Sequence, residues 1–176
     1  IYTAGTTDDE FGFVIALDHT GKEIWKTNYG KEWMDSYDGV RATPLIYNDK
    51  IYIISSFGLI VCLNANNGEI IWDVDLFNDY DGRNIKWGIT ENLLVFEDKI
   101  FVTAGGIDAN VIALNKDNGE LIWKCKGKGE KSAYCSPALF EHGGINLLVT
   151  HTESSILGID ASNGELLWTH DQPNQY

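Results

Sequence analysis

Residues 115–123 read Asn-Lys-Asp-Asn-Gly-Glu-Leu-Ile-Trp, and this phrase decides the fold because the chain repeats it. Related phrases occupy residues 18–25, 64–72 and 160–168, the first of them one residue shorter before its glycine. In every copy a glycine precedes a tryptophan by four positions, in the pairs Gly21/Trp25, Gly68/Trp72, Gly119/Trp123 and Gly164/Trp168. A fixed internal period indicates a repeat architecture in which each copy is one supersecondary unit.

Each repeat is predicted to be a sheet of four short antiparallel strands. Asn-Gly between two apolar runs favours a tight hairpin, since both residues tolerate positive φ. Successive tryptophans lie 47, 51 and 45 residues apart, which is typical of propeller blades. Segments such as 51–54 are apolar on both faces, as in a sheet packed between two others. We therefore predict an all-β chain, a partial β-propeller of about four four-stranded antiparallel blades at residues 1–27, 40–74, 87–125 and 133–170.

The first predicted blade lacks its innermost strand, which would lie ahead of Ile1. This number of strands does not suffice to close a ring of the expected type, and open sheet edges favour aggregation. We expect the chain to be about half of a seven- or eight-bladed propeller, with the remaining blades supplied by the same protein. The alternative is a half-propeller completed by a second copy.

The composition narrows the classes of partner. The 176 residues carry 13 Lys+Arg and 26 Asp+Glu, a net charge of −13. Nucleic-acid-binding proteins present a basic surface, so we predict no nucleic-acid partner. No apolar run reaches the ~18 residues that a membrane helix needs, so no membrane span is predicted.

Cysteine and histidine spacing predicts neither a metal site nor a defined redox compartment. Cys62, Cys125 and Cys135 form no C-x-x-C pair and are expected to be free thiols, with a Cys125–Cys135 disulfide as the alternative. The four histidines are scattered without metal-type spacing. We therefore predict no metal site from these residue types.

The repeated phrase resembles the tryptophan-docking motif A-x-D-x-x-T-G-x-x-x-W. It appears at residues 62–72, 113–123 and 158–168, and in shortened form at residues 16–25. The chain thereby resembles the pyrroloquinoline-quinone-like (PQQ-like) repeat family, and is most similar to its PQQ-binding-like and polyvinyl-alcohol-dehydrogenase-like members. That resemblance implies a propeller and a periplasmic or secreted location. It implies either a non-catalytic scaffold or a quinoprotein dehydrogenase.

The two functions that the resemblance implies need different residues. A quinoprotein alcohol or sugar dehydrogenase would use PQQ, a Ca²⁺ ion held by Glu, Asn and Asp, and an Asp base. Glu91 and Asn92 are candidate calcium ligands, although the same pair is also ordinary for a strand end. The vicinal cysteines of that site are absent and no complete catalytic set is found. We therefore predict a non-catalytic extracytoplasmic binding or scaffold module with no cofactor, and keep the PQQ- and Ca²⁺-dependent dehydrogenase as the alternative.

The long connections between blades are where the repeats differ, so they are the candidate binding segments. Residues 35–41 and 79–83 share Tyr-Asp-Gly followed by Arg. In a propeller these connections share one face with the loops that contribute Asp8, Asp9, Glu10 and Asp108. Aromatic rings with arginine suit a protein, peptide or carbohydrate partner. The predicted ligand-binding residues are Trp33, Tyr37, Asp38, Arg41, Tyr80, Asp81, Arg83, Trp87 and Glu91.

Two alternatives remain for the same motif. Tyr-Asp-Gly is also an ordinary turn sequence, in which the aspartate accepts backbone hydrogen bonds. The spacing Asp79-x-Asp81-Gly82 hints at calcium, but the remaining ligands of a calcium loop are missing.

Overall fold

The computed structural model describes residues 1–172, which form four antiparallel sheets and one short helix. Each sheet is a meander, numbered here as a blade in chain order. Blade 1 has three strands, β1 (Tyr2–Thr6), β2 (Phe11–Leu17) and β3 (Glu23–Lys31). Blade 2 has β4 (Leu45–Tyr47), β5 (Lys50–Ile54), β6 (Leu59–Asn64) and β7 (Ile70–Asp75). The helix α1 (Leu76–Tyr80) follows β7 directly.

Blades 3 and 4 repeat the plan of blade 2. Blade 3 has β8 (Leu94–Phe96), β9 (Lys99–Val102), β10 (Val111–Asn115) and β11 (Leu121–Cys125). Blade 4 has β12 (Ala138–His142), β13 (Ile145–His151), β14 (Ser155–Asp160) and β15 (Leu166–Asp171). The all-β propeller blades that the repeat predicted are therefore confirmed.

Three apolar clusters hold the blades together, one at each boundary between neighbours. Val14 of blade 1 packs with Ile51 and Leu63 of blade 2. Blades 2 and 3 share the largest cluster, and blades 3 and 4 share a third around Phe101 and Leu157. Central strands such as β5 and β9 are buried along their length because both sheet faces meet a neighbouring blade.

The repeated turns derive their shape from an Asx side chain and a glycine. Asn64 Oδ1 accepts from Asn66 N at 2.8 Å, and Gly68 takes φ of 74°, which a side chain would oppose. Asp18 makes the same bond to Thr20 N in blade 1, although that turn is one residue shorter. A bulge follows in each blade where the tryptophan strand pairs with its neighbour.

Tryptophan side chains join neighbouring blades at these turns. Trp25 Nε1 donates to the carbonyl of Ala65 in the next blade at 3.2 Å. Its ring lies against Gly68, where an added methyl group would come within 2.6 Å of Cε3. Trp72 and Trp123 make the equivalent contacts with the turns of blades 3 and 4. We call this arrangement the blade joint.

The structure differs from the sequence prediction in the inner strands and in one connection. Inner strands were predicted from residues 40, 87 and 133, but β4, β8 and β12 begin at Leu45, Leu94 and Ala138. The preceding residues bond to side chains of neighbouring blades instead of a strand. A helix, α1, was not predicted; five residues are too few for a helical period, and Asp75 starts it by accepting from Phe77 N and Asn78 N. No helix in residues 1–172 is long and apolar enough to cross a membrane.

Candidate functional site

The connection between blades 1 and 2 presents Tyr37 to solvent. Tyr37 is 92% exposed, and both it and Ser36 have left-handed backbone, with φ of 60° and 53°. Arg41 holds this loop by donating from Nη2 to Ser36 O at 3.3 Å and to Tyr37 O at 3.2 Å. Such backbone persists only where surrounding contacts enforce it. Asp38 is exposed beside Tyr37.

The connection between blades 2 and 3 turns its Tyr-Asp-Gly motif inward. Tyr80 ends α1 half-buried against the core, and burial raises the pKa of its hydroxyl. Asp81 is the left-handed C-cap of α1. Arg83 donates to the carbonyls of Gly105 at 3.0 Å and Gly129 at 2.5 Å. These predicted ligand residues are thus engaged within the protein.

An aromatic cleft of about 380 Å³ opens beside the Tyr37 loop. The Trp87 and Tyr134 rings meet at 5.6 Å between centroids, and Trp87 N donates to Tyr134 Oη at 3.1 Å. The cleft wall is largely apolar apart from Arg41, whose buried Nε has no acceptor among residues 1–172. The lining residues are Ser36, Tyr37, Arg41, Thr90, Trp87 and Tyr134.

Three of the cleft residues occupy the same position in successive blades. Arg41, Thr90 and Tyr134 each precede the first residue of an inner strand by four positions. Their blades are tied together next to the cleft, because Thr43 N donates to Asn92 Oδ1 at 2.7 Å and Asn92 N donates to Ser136 Oγ at 2.9 Å. The cleft is therefore built jointly by three blades.

The structure brings together only part of the predicted set. Tyr37, Arg41 and Trp87 meet at the aromatic cleft, whereas Tyr80, Asp81, Arg83 and Glu91 do not line it. Trp33 lies next to Arg41, with 5.7 Å from the guanidinium carbon to the ring centroid. It also lines a neighbouring cleft with Glu10 and Phe57, so one predicted acidic loop lies on this face.

Sequence reasoning missed Ser36, Thr90 and Tyr134 as cleft residues. The signal that would have found Thr90 and Tyr134 is their offset from the inner strands, which matches that of Arg41. That offset was hidden because the inner strands were predicted to begin too early.

Glu91 lies in the interior beside the cleft residues. Its side chain is fully buried, and Thr103 N donates to both carboxyl oxygens at 3.0 and 3.1 Å. Burial raises the pKa of Glu91 to about 8, although the bonds from Thr103 oppose that rise. Thr103 Oγ1 in turn lies 2.9 Å from Thr150 Oγ1 of blade 4.

The candidate calcium ligands do not fit the metal and quinone site that the resemblance implies. The Glu91 carboxyl is enclosed and bonded to Thr103, and the Asn92 amide oxygen already accepts from Thr43. Asp79 accepts from Asp75 N at 3.1 Å, within the helix start. Within residues 1–172, no three His, Cys, Asp or Glu side chains are grouped as metal ligands. All three cysteines are free thiols, two of them buried.

Two further acidic residues have roles that the sequence did not reveal. Glu32 is buried in the first connection and accepts from Tyr29 Oη at 2.6 Å and from Ser56 N at 3.0 Å. Glu130 accepts from Thr152 Oγ1 and Ser154 N in blade 4. Each carboxylate thus ties a connection to the blade that follows it.

Comparison with known proteins identifies two kinds of relative. A family model described as outer membrane protein assembly factor BamB matches residues 10–175. The quinoprotein alcohol dehydrogenase PedH of Pseudomonas putida is 28% identical over 153 residues, covering 84% of this chain and 25% of the dehydrogenase. The BamB of Moranella endobia is 24% identical over 153 residues, covering 84% of this chain and 37% of that protein.

Solved structures show the same fold. The crystal structure of BamB from Moraxella catarrhalis matches with a TM-score of 0.70 at 20% identity, covering 98% of this chain and 50% of that one. A quinohemoprotein alcohol dehydrogenase from Comamonas testosteroni matches with a TM-score of 0.65 at 16% identity, covering 96% of this chain and 34% of that one. The chain thus spans a quarter to about a third of the curated relatives and up to half of these structures.

Proposed function

The chain belongs to the PQQ-like repeat family whose model describes BamB, and from that premise we propose that it is part of a non-catalytic, extracytoplasmic binding propeller. Its aromatic cleft would hold a segment of another protein. The observation that carries this proposal is the loop of residues 33–41, which holds Tyr37 92% exposed at the edge of a cleft lined by Trp87 and Tyr134.

The loop is built for presentation. Left-handed backbone at Ser36 and Tyr37 costs on the order of 1 kcal/mol or more for each residue. Two hydrogen bonds from Arg41 and one from Gly39 N to Trp33 O offset that cost. Rigid aromatic side chains around a pocket are what protein interfaces use as anchors, since they bury a large area with little loss of entropy.

The charges indicate what kind of segment fits. Asp35 and Asp38 are exposed near the cleft, and the whole chain carries −13. A segment with an apolar or aromatic anchor flanked by lysine or arginine would therefore be attracted. Its backbone carbonyls would offer an acceptor to Arg41 Nε, which is otherwise buried without one among residues 1–172.

Binding is tested with a set of about 15-residue peptides that carry a central Trp-Leu anchor with or without flanking lysines, titrated by fluorescence anisotropy. The lysine-flanked peptides are expected to bind more tightly, and Tyr37→Ala is expected to weaken them by at least about tenfold. Tyr47→Ala is the matched control, because Tyr47 is an exposed tyrosine of β4 that does not line the cleft. Equal losses in both variants, or no binding, would contradict the proposal.

The second candidate is a PQQ- and Ca²⁺-dependent dehydrogenase, favoured by the similarity to PedH. It is tested on the full-length protein by titration with PQQ and Ca²⁺, followed by dye-linked oxidation of a primary alcohol. Saturable PQQ binding with alcohol-dependent dye reduction would replace the scaffold proposal. We expect neither, because Glu91 and Asn92 are already engaged with Thr103 and Thr43.

A further inference from the structure

The two outer faces of the described blades are halves of one interface. Blade 4 buries Leu148, Leu157 and Ile159 against blade 3. Its opposite face carries Phe140, Val149 and Trp168 in register across the sheet and meets no blade within residues 1–172. Trp168 is 41% exposed, whereas Trp72 and Trp123 are 8% and 7% exposed at their joints.

Trp168 has every feature of the blade joint except its receptor. Its ring lies against Gly158 within its own blade, at the position that pairs Trp72 with Cys62 and Trp123 with Ala113. The three other joint tryptophans donate from Nε1 to a carbonyl of the next blade at 3.1–3.2 Å. No residue in 1–172 accepts from Trp168 Nε1.

The receptor that Trp168 lacks lies at the other end, in the turn of residues 18–21. In the internal joints the carbonyl that accepts follows an Asx residue, and the ring rests on the glycine of that turn. His19 follows Asp18 in the same way, and Asp18 shapes the turn through Thr20 N and Lys22 N. Nothing lies within 4 Å of a methyl group placed on Gly21, whereas Gly68, Gly119 and Gly164 are each covered by a tryptophan.

The sheet behind that turn is also apolar and open. β1 and β2 present one face to blade 2 through Val14. On the other face, Ile15 and Leu17 occupy the positions that Val61 and Leu63 hold in blade 2, where they are buried against blade 1. Burying such surface is favourable at roughly 25 cal/mol per Å², so two complementary open faces on one chain are expected to associate.

We propose that the Trp168 face of one copy docks on the Gly21 face of a second copy, and that two copies close one ring. The contact is heterologous, since different surfaces meet, and it therefore closes only if the rotation returns to the start. Two copies supply eight blades, within the range of known propellers. The BamB chain that this chain matches structurally is about twice as long, since the match covers 98% of one and 50% of the other.

Sedimentation equilibrium of the 176-residue chain tests the proposal. The expected species has about twice the monomer mass of 19.7 kDa. Trp168→Ala is expected to raise the dimer Kd by at least about 100-fold, because a buried joint aromatic is lost at both contacts. Tyr37→Ala, which removes another exposed aromatic residue, is the matched control and is expected to leave the Kd unchanged.

A second variant addresses the receptor without touching the tryptophan. Gly21→Asn places a side chain where the ring would lie, and asparagine tolerates the φ of 84° there. It is expected to weaken the dimer as Trp168→Ala does, while circular dichroism shows both variants folded. Mixing the two variants is expected to restore association, because each then offers the end that the other lacks.

Three outcomes would overturn the proposal. The first is a monomer at every concentration, which would make a further blade of a longer polypeptide the occupant of the Trp168 face. The second is a dimer that neither variant weakens, or that mixing fails to restore. The third is growth beyond two copies, which would show that the contact does not close.

Discussion

Two connections with the same short motif have opposite fates. Residues 35–41 and 79–83 both contain Tyr-Asp-Gly followed by arginine. In the first, Tyr37 is 92% exposed beside the aromatic cleft. In the second, Tyr80 packs against the core and Arg83 bonds to Gly105 and Gly129. The motif therefore specifies a turn but not a role.

The difference arises from the neighbouring residues. Asp75 starts a helix directly after β7, so Tyr80 ends a helical turn and is directed at the core. The first connection has no such helix, and Ser36 and Tyr37 adopt left-handed backbone instead. Arg41 is the second residue after its glycine and Arg83 the first. Because successive side chains of an extended chain point to opposite sides, this one-residue offset directs the two arginines differently.

The largest expected effect concerns the inner-strand position that ends each connection, which is Ala42 in the first and Glu91 in the second. The folded-state pKa of Glu91 is raised from 4.5 to about 8. Between these values the unfolded chain releases its proton first, so the free energy of unfolding falls as pH rises. Glu91→Gln removes this dependence, and its stability relative to the parent protein is expected to improve by about 3 kcal/mol from pH 5 to pH 8. Urea unfolding at both pH values measures the difference; parallel changes in the two proteins would contradict it.

The next effect compares the two arginines. Arg83→Met leaves the carbonyls of Gly105 and Gly129 without their donor and is expected to cost about 2–3 kcal/mol of stability. Arg41→Met is expected to cost less than about 1 kcal/mol, because its bonds hold an exposed loop. Chemical denaturation measures both. If Arg41→Met proved the more damaging, the distinction between the two connections would be wrong.

The two glycines of the motif give a smaller contrast. A methyl group on Gly82 would lie 2.7 Å from the backbone oxygens of Leu76 and Ala104, so Gly82→Ala is expected to cost about 2 kcal/mol. Gly39 has space, with Thr6 Oγ1 nearest at 3.9 Å, but its φ is 129°. Gly39→Ala is therefore expected to cost about 1 kcal/mol through the backbone alone. Thermal unfolding of both variants tests the ranking, and equal losses would refute it.

The smallest stability effect is expected at the two tyrosines. Tyr37→Ala should change the free energy of unfolding by less than about 0.5 kcal/mol, because the side chain is almost fully exposed. Tyr80→Ala should cost about 1 kcal/mol, because the side chain packs against the core. Peptide binding should respond in the reverse order, with a loss only in Tyr37→Ala. A binding loss in Tyr80→Ala without loss of stability would place the site on the second connection.

The predictability of the site followed the same division. Tyr37, Arg41 and Trp87 were found from sequence because they stand in connections where the repeats diverge. Tyr134 and Thr90 were missed, since their place at the cleft depends on the start of each inner strand. Glu91 looked like a ligand residue, and only packing shows its carboxyl enclosed with Thr103.

The sequence by itself determined the repeat, because each blade needs the same turn and the same joint. Asx, glycine and tryptophan are required locally: the first shapes the turn, the second leaves room and the third fills the gap between blades. The tertiary structure alone decided which connection residues meet. Arg41, Thr90 and Tyr134 lie in three different blades, and no local pattern records a contact made across blades. Repetition is written in local chemistry, whereas the cleft depends on how whole sheets pack against one another.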